Sequence, residues 1–340
     1  MKYKLLAVNS DADNINIGDY IQALASLQFL PHFDGFINRE RLDEYQGEQT
    51  KIIMNGWFMH KPHHWPPSQA VIPLFVAFHI NKYTGNALFS KKSIEYFKLH
   101  EPIGCRDYNT VQQLEKHGVK AFFTGCMTLT LGEKYKSSEK ENKCYFVDAY
   151  FNSNWSKIEL FRNFFYYLRY KRNIDIIANK ISYGLDGIRK KLRLVTFYIQ
   201  YKKYFSEETL VNAEYISQMN SSYGKNFVTD EALLGEAERL IKLYSKAKLV
   251  VTSRIHCALP CLGMETSVVY IENVDQDEIS SCRLQGLREL FNVMEWKKGT
   301  LTPKFNFSGK LSVNNQPMNK NNWKLFAQKL IKIVTAFIAK

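Results

Sequence analysis

The chain has 340 residues, 45% apolar and 23% charged, with 46 basic against 33 acidic side chains and a net charge of +13. This composition excludes disordered and collagen-like classes, and no window reaches the roughly 18 unbroken apolar residues that a membrane-spanning helix needs. The length suits two cores better than one, and the charge points to a polyanionic partner: nucleic acid, an anionic membrane or a phosphorylated small molecule.

The start, MKYKLLAVNSDAD, has no long apolar stretch followed by small residues, so a cytoplasmic protein is expected. Spacing predicts a strand over residues 3–8, a polar loop over 9–19 and a helix over 20–30. Asp19 is placed to cap that helix, with Asn16 and Gly18 in the loop before it. An apolar run over 51–54 ends in Asn55-Gly56, a turn signal. A strand over 103–106, a polar helix over 109–117 and another apolar run over 119–123 follow. The charged stretch 133–143 reads as a domain boundary, after which residues 144–149 restart as a strand.

From 157 to 203 the chain carries twelve Lys/Arg against three Asp/Glu, interleaved with Phe and Tyr. The pattern resumes with a segment over 208–219, a helix over 230–245, a strand over 249–252, a helix over 256–263 and a strand over 267–271. The last twenty residues have apolar positions at helical spacing with lysines opposite. Strands alternating with helices in this way indicate an α/β fold with a parallel sheet, whose sites lie at the carboxyl ends of strands.

Several turns are candidates for chemistry. In KLVVTSRIHCALP an apolar strand runs into Ser253, Arg254 and His256 just before a helix, a junction that gathers backbone N–H groups, a guanidinium fork and a titratable imidazole. A helix cap at Ser253 and a surface ion pair at Arg254 describe the same residues equally well. The loop NINIGD, with Asn16, Gly18 and Asp19, is suited to bring backbone amides to a phosphate or simply to cap a helix. Arg106 and Asp107 follow a strand and read as a ligand clamp or a local ion pair. Gly125-Cys126-Met127-Thr128 is a tight turn whose Thr128 hydroxyl is free to face a ligand.

The segment WFMHKPHHWPPS contains Trp57, His60, His63, His64 and Trp65; its prolines preclude a helix and no acidic ligand lies nearby in sequence. No metal is expected there, and the aromatic rings suit stacking against sugars of an acceptor. The six cysteines have no CxxC pairing and read as buried thiols. The basic aromatic stretch 157–203 fits an anionic membrane surface, a nucleic acid, or two ordinary amphipathic helices; no RNP, helix-turn-helix or zinc pattern accompanies it, and nucleic acid is not expected.

The run SRIHCALPCLGMETSVVYI resembles the polysaccharide pyruvyl transferase family: a hydrophobic strand, Ser-Arg-aliphatic-His, a small apolar helix and another strand. Asn16, Gly18 and Asp19, then Arg106 and Asp107, then Gly125, Cys126 and Thr128 occur in that family's order. The resemblance implies two Rossmann-like domains facing a cleft in a GT-B-like architecture. Residues 1–138 would form the acceptor side, 139–319 the donor side with a basic aromatic insertion over 152–205, and a helix over 320–340 would pack back on the first domain. It also implies phosphoenolpyruvate as donor, no cofactor, and a sugar acceptor, free, polymeric or lipid-linked. His256 would protonate the enol carbon or shuttle a hydroxyl proton, and Asp19 would serve as a base. Arg254, Ser253, Arg106, Asn16 and Gly18 would hold the donor. Nucleotide-sugar glycosyl transfer on the same fold, and a non-catalytic membrane- or nucleic-acid-binding role through 157–203, are the alternatives. If the glycan is lipid-linked, the basic segment and the last helix are expected to dock on the inner membrane face.

Overall fold

Alternating apolar runs and amphipathic helices build two separate parallel sheets in a computed structural model. It describes all residues except 8–14, 81–84, 153–155, 183–185, 220–222, 224–225 and 277–281. Most of the loop expected over 9–19, Asn14 included, therefore lies outside the described residues.

The first sheet has the order β1 (Lys2–Tyr3), β4 (Thr50–Phe58), β5 (Val71–Ile80), β6 (Ile103–Cys105) and β7 (Ala121–Phe123), all parallel. The apolar run expected as one strand over 3–8 is divided: β2 (Leu5–Ala7) leaves the sheet to pair with β3 (Phe36–Asn38). Helix α1 (Ile17–Leu27) precedes β3, α2 (Lys91–Leu99) precedes β6, and α3 (Tyr108–Lys116) follows it. Asn55-Gly56 is not a turn. β4 continues through it with a register shift, and Gly56 takes up the irregularity at φ +109°. Buried Asn55 is satisfied by the Gln22 carbonyl (3.0 Å) and the Ser26 hydroxyl (3.1 Å), which is what a polar residue inside a strand needs.

The second sheet runs β13 (Thr300–Pro303), β12 (Asn292–Lys297), β11 (Ser267–Asn273), β10 (Ala247–Thr252), β8 (Glu141–Val147) and β9 (Glu214–Ile216), parallel except for the β12–β13 hairpin. The segment expected over 208–219 splits into α6 (Glu207–Asn212) and β9. The basic aromatic stretch is two helices, α4 (Lys157–Lys180) and α5 (Gly187–Tyr201), packed on the far face of this sheet. Helices α7 (Asp230–Lys246), α8 (Ile255–Gly263) and α9 (Trp323–Ala339) complete the chain. No helix among the described residues is long and apolar enough to cross a membrane. The six cysteines are all buried and form no disulfide.

Each sheet has a core on its outer face, and a third cluster joins them. The joining cluster draws Tyr20, Ile21 and Leu24 from α1, Met127 and Leu129 from the turn after β7, and residues of α7, α8 and α9. Helix α9 lays Trp323, Ala327, Leu330 and Val334 into it, and Lys51 of β4 donates to the Phe337 carbonyl at 3.0 Å, fixing the end of the helix. The apolar stripe expected at a membrane is therefore used inside the fold.

The halves meet backbone to backbone. A Cβ on Gly132 would lie 2.0 Å from the Gly263 carbonyl oxygen, and one on Gly263 would lie 2.3 Å from that of Leu129. Neither neighbour is a flexible side chain, so Gly263→Ala should destabilise the protein by about 3 kcal/mol or more, read by urea titration. Gly235, exposed within α7 with nothing near its Cβ position, is the control. Gly235→Ala should stabilise by about 0.5–1 kcal/mol. Equal effects of the two substitutions would contradict the close approach.

Candidate active site

The carboxyl ends of β5, β6 and β10 and the N-termini of α1 and α8 converge on one place. Asn16 caps α1, its side chain accepting from the Gly18 N–H at 3.1 Å. Asp19 is thus not the cap expected from sequence. An Asn at that position already satisfies the free amide, which leaves Asp19 in the first turn to face inward. There it accepts from Gln22 Nε2 (3.1 Å) and lies 3.7 Å from Arg39 Nη1. Burial raises its carboxyl above the ordinary range, against the opposing charges of Arg39, Arg106 and His60.

Gly18 is glycine for contact. A Cβ there would sit 3.0 Å from His256 Nδ1 and 3.1 Å from its Cβ. His256 lies in the first turn of α8, a helix whose N-terminus no side chain caps. Its Nε2 is buried and finds no hydrogen-bond partner among the described residues. Burial, then the positive charges of Arg106 and Arg283, hold the imidazole well below its ordinary pKa. It is therefore neutral at neutral pH.

Arg106, at the end of β6, is 3% exposed, and its Nε also finds no partner. The ion pair with Asp107 is long, 3.9 Å. Asp107 has other work: it caps α3 through the Thr110 N–H (2.9 Å) and hydroxyl (3.0 Å), and it meets His79 Nδ1 at 2.6 Å. Burial, reinforced by the Arg106 charge, brings His79 down to about 4, so the carboxylate faces a neutral imidazole whose Nδ1 carries the proton. Arg254 caps nothing with its side chain. It donates from Nε to Asp148 Oδ2 (2.8 Å) and from Nη1 to Met219 Sδ (3.1 Å). Asp148 also takes the Gln218 N–H (2.9 Å), and the Ile17 N–H reaches the Gln218 carbonyl (3.0 Å), tying the Arg254 turn to the start of α1. Ser253 is held by the loop after β8, its hydroxyl accepting from the Tyr150 N–H at 2.8 Å.

The acceptor candidates divide. Trp57 carries the Arg39 guanidinium 5.3 Å above its ring and the His60 ring at 4.3 Å, so both reach the edge of the Asp19 site. Glu40 fixes that loop by accepting from the His60 (2.7 Å) and Lys61 (2.8 Å) amides. The His63 and His64 rings lie 4.2 Å apart, tilted at 43°, and His64 Nδ1 meets Asp43 (2.9 Å) and Glu44 (3.5 Å). Acidic partners absent from the local sequence are thus supplied by the fold. Trp65 is core, buried against Phe58, Phe75, Phe78 and Phe97. The Thr128 hydroxyl, expected to face a ligand, is fully buried and bonded to Cys126 Sγ at 3.2 Å.

Asn16, Gly18, Asp19, Arg106 and His256, far apart in sequence, gather at one place beside the Arg39 and Arg283 cations, in the order of the resemblance. The family model for polysaccharide pyruvyl transferases matches residues 16–276, from the α1 cap to beyond β11. The chain belongs to the polysaccharide pyruvyl transferase family. No curated protein and no solved structure matches it.

Of the residues at the site, His79, Arg39, Asp148 and Arg283 were not among the expected ones. His79 and Asp148 had one signal in common, a lone polar residue closing an apolar strand. Arg283 follows the undescribed residues 277–281 and lies outside the matched range.

Proposed function

We propose that this pyruvyl transferase moves the enolpyruvyl group of phosphoenolpyruvate onto two hydroxyls of one sugar in a polysaccharide or lipid-linked precursor. The products are a pyruvate ketal and free phosphate, and no cofactor takes part. The observation that supports this reading best is a pair of buried nitrogens, Arg106 Nε and His256 Nε2, that find no partner among the described residues beside the Asp19 carboxyl. A buried polar nitrogen without a partner is costly unless a ligand supplies one, and a small anion with up to three charges suits the surrounding cations.

In this mechanism a proton adds to the methylene carbon as one sugar oxygen bonds to the central carbon. The bond between that carbon and the phosphate oxygen then breaks, and the second hydroxyl closes the ketal. Of the two hydroxyl protons, one ends on the new methyl group and one on the phosphate. Neutral His256 is suited to take a hydroxyl proton. Asp19, whose carboxyl holds its proton more readily than usual, is suited to serve the methylene carbon. This ordering departs from the assignment of Asp19 as base. Arg106 and Arg254 hold phosphate and carboxylate, and Trp57 and His60 border the acceptor. Residues 1–138 and 139–319 act as two Rossmann-like halves in a GT-B-like arrangement.

Thermal unfolding with candidate donors tests the reading. A ligand at a hundredfold excess over its dissociation constant stabilises the folded state by about 2.7 kcal/mol. Phosphoenolpyruvate should raise the melting temperature and UDP or GDP should not. The reverse result would replace the proposal with nucleotide-sugar glycosyl transfer. Phosphate release across galactose-, mannose- and N-acetylhexosamine-containing acceptors then identifies the sugar.

A further inference from the structure

Helix α4 has two apolar faces, and only one is covered. Asn163, Tyr167, Ile174, Ile177 and Ala178 are buried, with Asn163 bonded to the Leu192 carbonyl (3.3 Å) and Thr196 hydroxyl (3.2 Å) of α5. This clamps the helix, so the opposite face cannot turn inward. That face carries Phe161, Phe164, Phe165 and Leu168 at i, i+3, i+4 and i+7, continued by Ile158 one turn earlier. All five are exposed, Ile158 by 84%, Phe161 by 68% and Leu168 by 53%. Arg162 and Arg169 border the stripe on one side, Lys171 on the other, and Lys157 and Arg172 stand at its ends, all exposed. Lys157, Arg169 and Arg172 make no ion pair among the described residues.

We propose that this stripe docks the protein on an anionic lipid bilayer, with α4 lying in the plane of the headgroups. Aromatic and aliphatic side chains enter the interface, and the flanking cations meet lipid phosphates. Charge selects this occupant over others. A two-fold contact between copies through the same stripe would set its cationic borders against each other. A nucleic acid would gain nothing by stacking on Ile158 and Leu168. The next face of the same helix turns Glu159, Arg162 and Tyr166 into a cavity of about 600 Å³ that also includes Asp275, so a docked chain holds that cavity beside the headgroups.

The test is co-sedimentation of the full chain with vesicles of mixed phosphatidylglycerol and phosphatidylcholine, and with phosphatidylcholine alone. The wild type should partition onto the anionic vesicles at least about tenfold more strongly. A Phe161→Ser, Phe165→Ser, Leu168→Ser variant should lose about a hundredfold in partitioning. Arg169→Gln with Arg172→Gln should weaken binding about twenty-five-fold, at about fivefold per cation. Because these side chains are exposed, both variants should melt at the wild-type temperature, which verifies the fold. Equal binding to both vesicle types, or a triple variant that still binds, would overturn the proposal. So would a wild type that ignores vesicles but self-associates through the stripe, seen as dimers that the triple variant abolishes.

Discussion

Arg106→Met should leave the free protein at least as stable as the wild type while raising the KM for phosphoenolpyruvate at least about a hundredfold. The two effects are linked. The Arg106 guanidinium is buried, its Nε finds no partner among the described residues, and burial lowers its pKa, a sign that its charge is held at a cost. Methionine fills a similar length with apolar atoms, and replacing a poorly paired buried charge in this way is often neutral or stabilising. Asp107 is not abandoned, since His79 and Thr110 still hold it. The donor loses contacts to a charged group at about 1.5–3 kcal/mol each. Melting curves with and without phosphoenolpyruvate read both effects at once. A variant that melts lower and is still stabilised by the donor would make Arg106 structural.

His256→Ala should reduce kcat about 10²- to 10⁴-fold, the range for loss of a positioned proton carrier, with little change in melting temperature. The pH profile separates its role from packing. The free site holds the imidazole well below 6.5 through burial and the charges of Arg106 and Arg283. The base form therefore persists below that pH, and kcat/KM should stay level through neutrality and fall only under about 6.5, the ordinary value. A bound donor brings negative charge against the same cations and cancels part of their effect. The acid limb of kcat should consequently lie at higher pH than that of kcat/KM. An acid limb in kcat/KM at or above 6.5 would remove His256 from the role of base.

The junction of β10 with α8 was legible in sequence because an apolar strand, a polar turn and an apolar helix follow one another without interruption. Its surroundings were not. Asp148 and Arg254 are 106 positions apart, and Asp107 and His79 are 28 apart, so only strand order brings them together. Local rules also misled where a tertiary partner decided the outcome. Asn55-Gly56 has turn chemistry, yet Gln22 and Ser26 satisfy the asparagine inside a strand. Trp65 sits among prolines like a surface residue, yet five rings close over it. Asp19 looked like a cap because nothing in one dimension shows that Asn16 had taken the position. The stripe on α4 was legible as basic and aromatic, but which of its faces α5 covers was not.

The joining core has a consequence for biosynthesis. Tyr20 of α1 bonds through its hydroxyl to Asp230 at 2.5 Å, a partner 210 residues later in the chain. A ribosome adding about 5–20 residues per second needs about 10–40 s to deliver it. Through that interval α1 packs on the first sheet and on the turn after β7, but the side of α1 that α7 later covers stays open. The nascent chain emerges with half of its central core waiting, a state that favours capture by a holding chaperone and penalises slow elongation between β8 and α7.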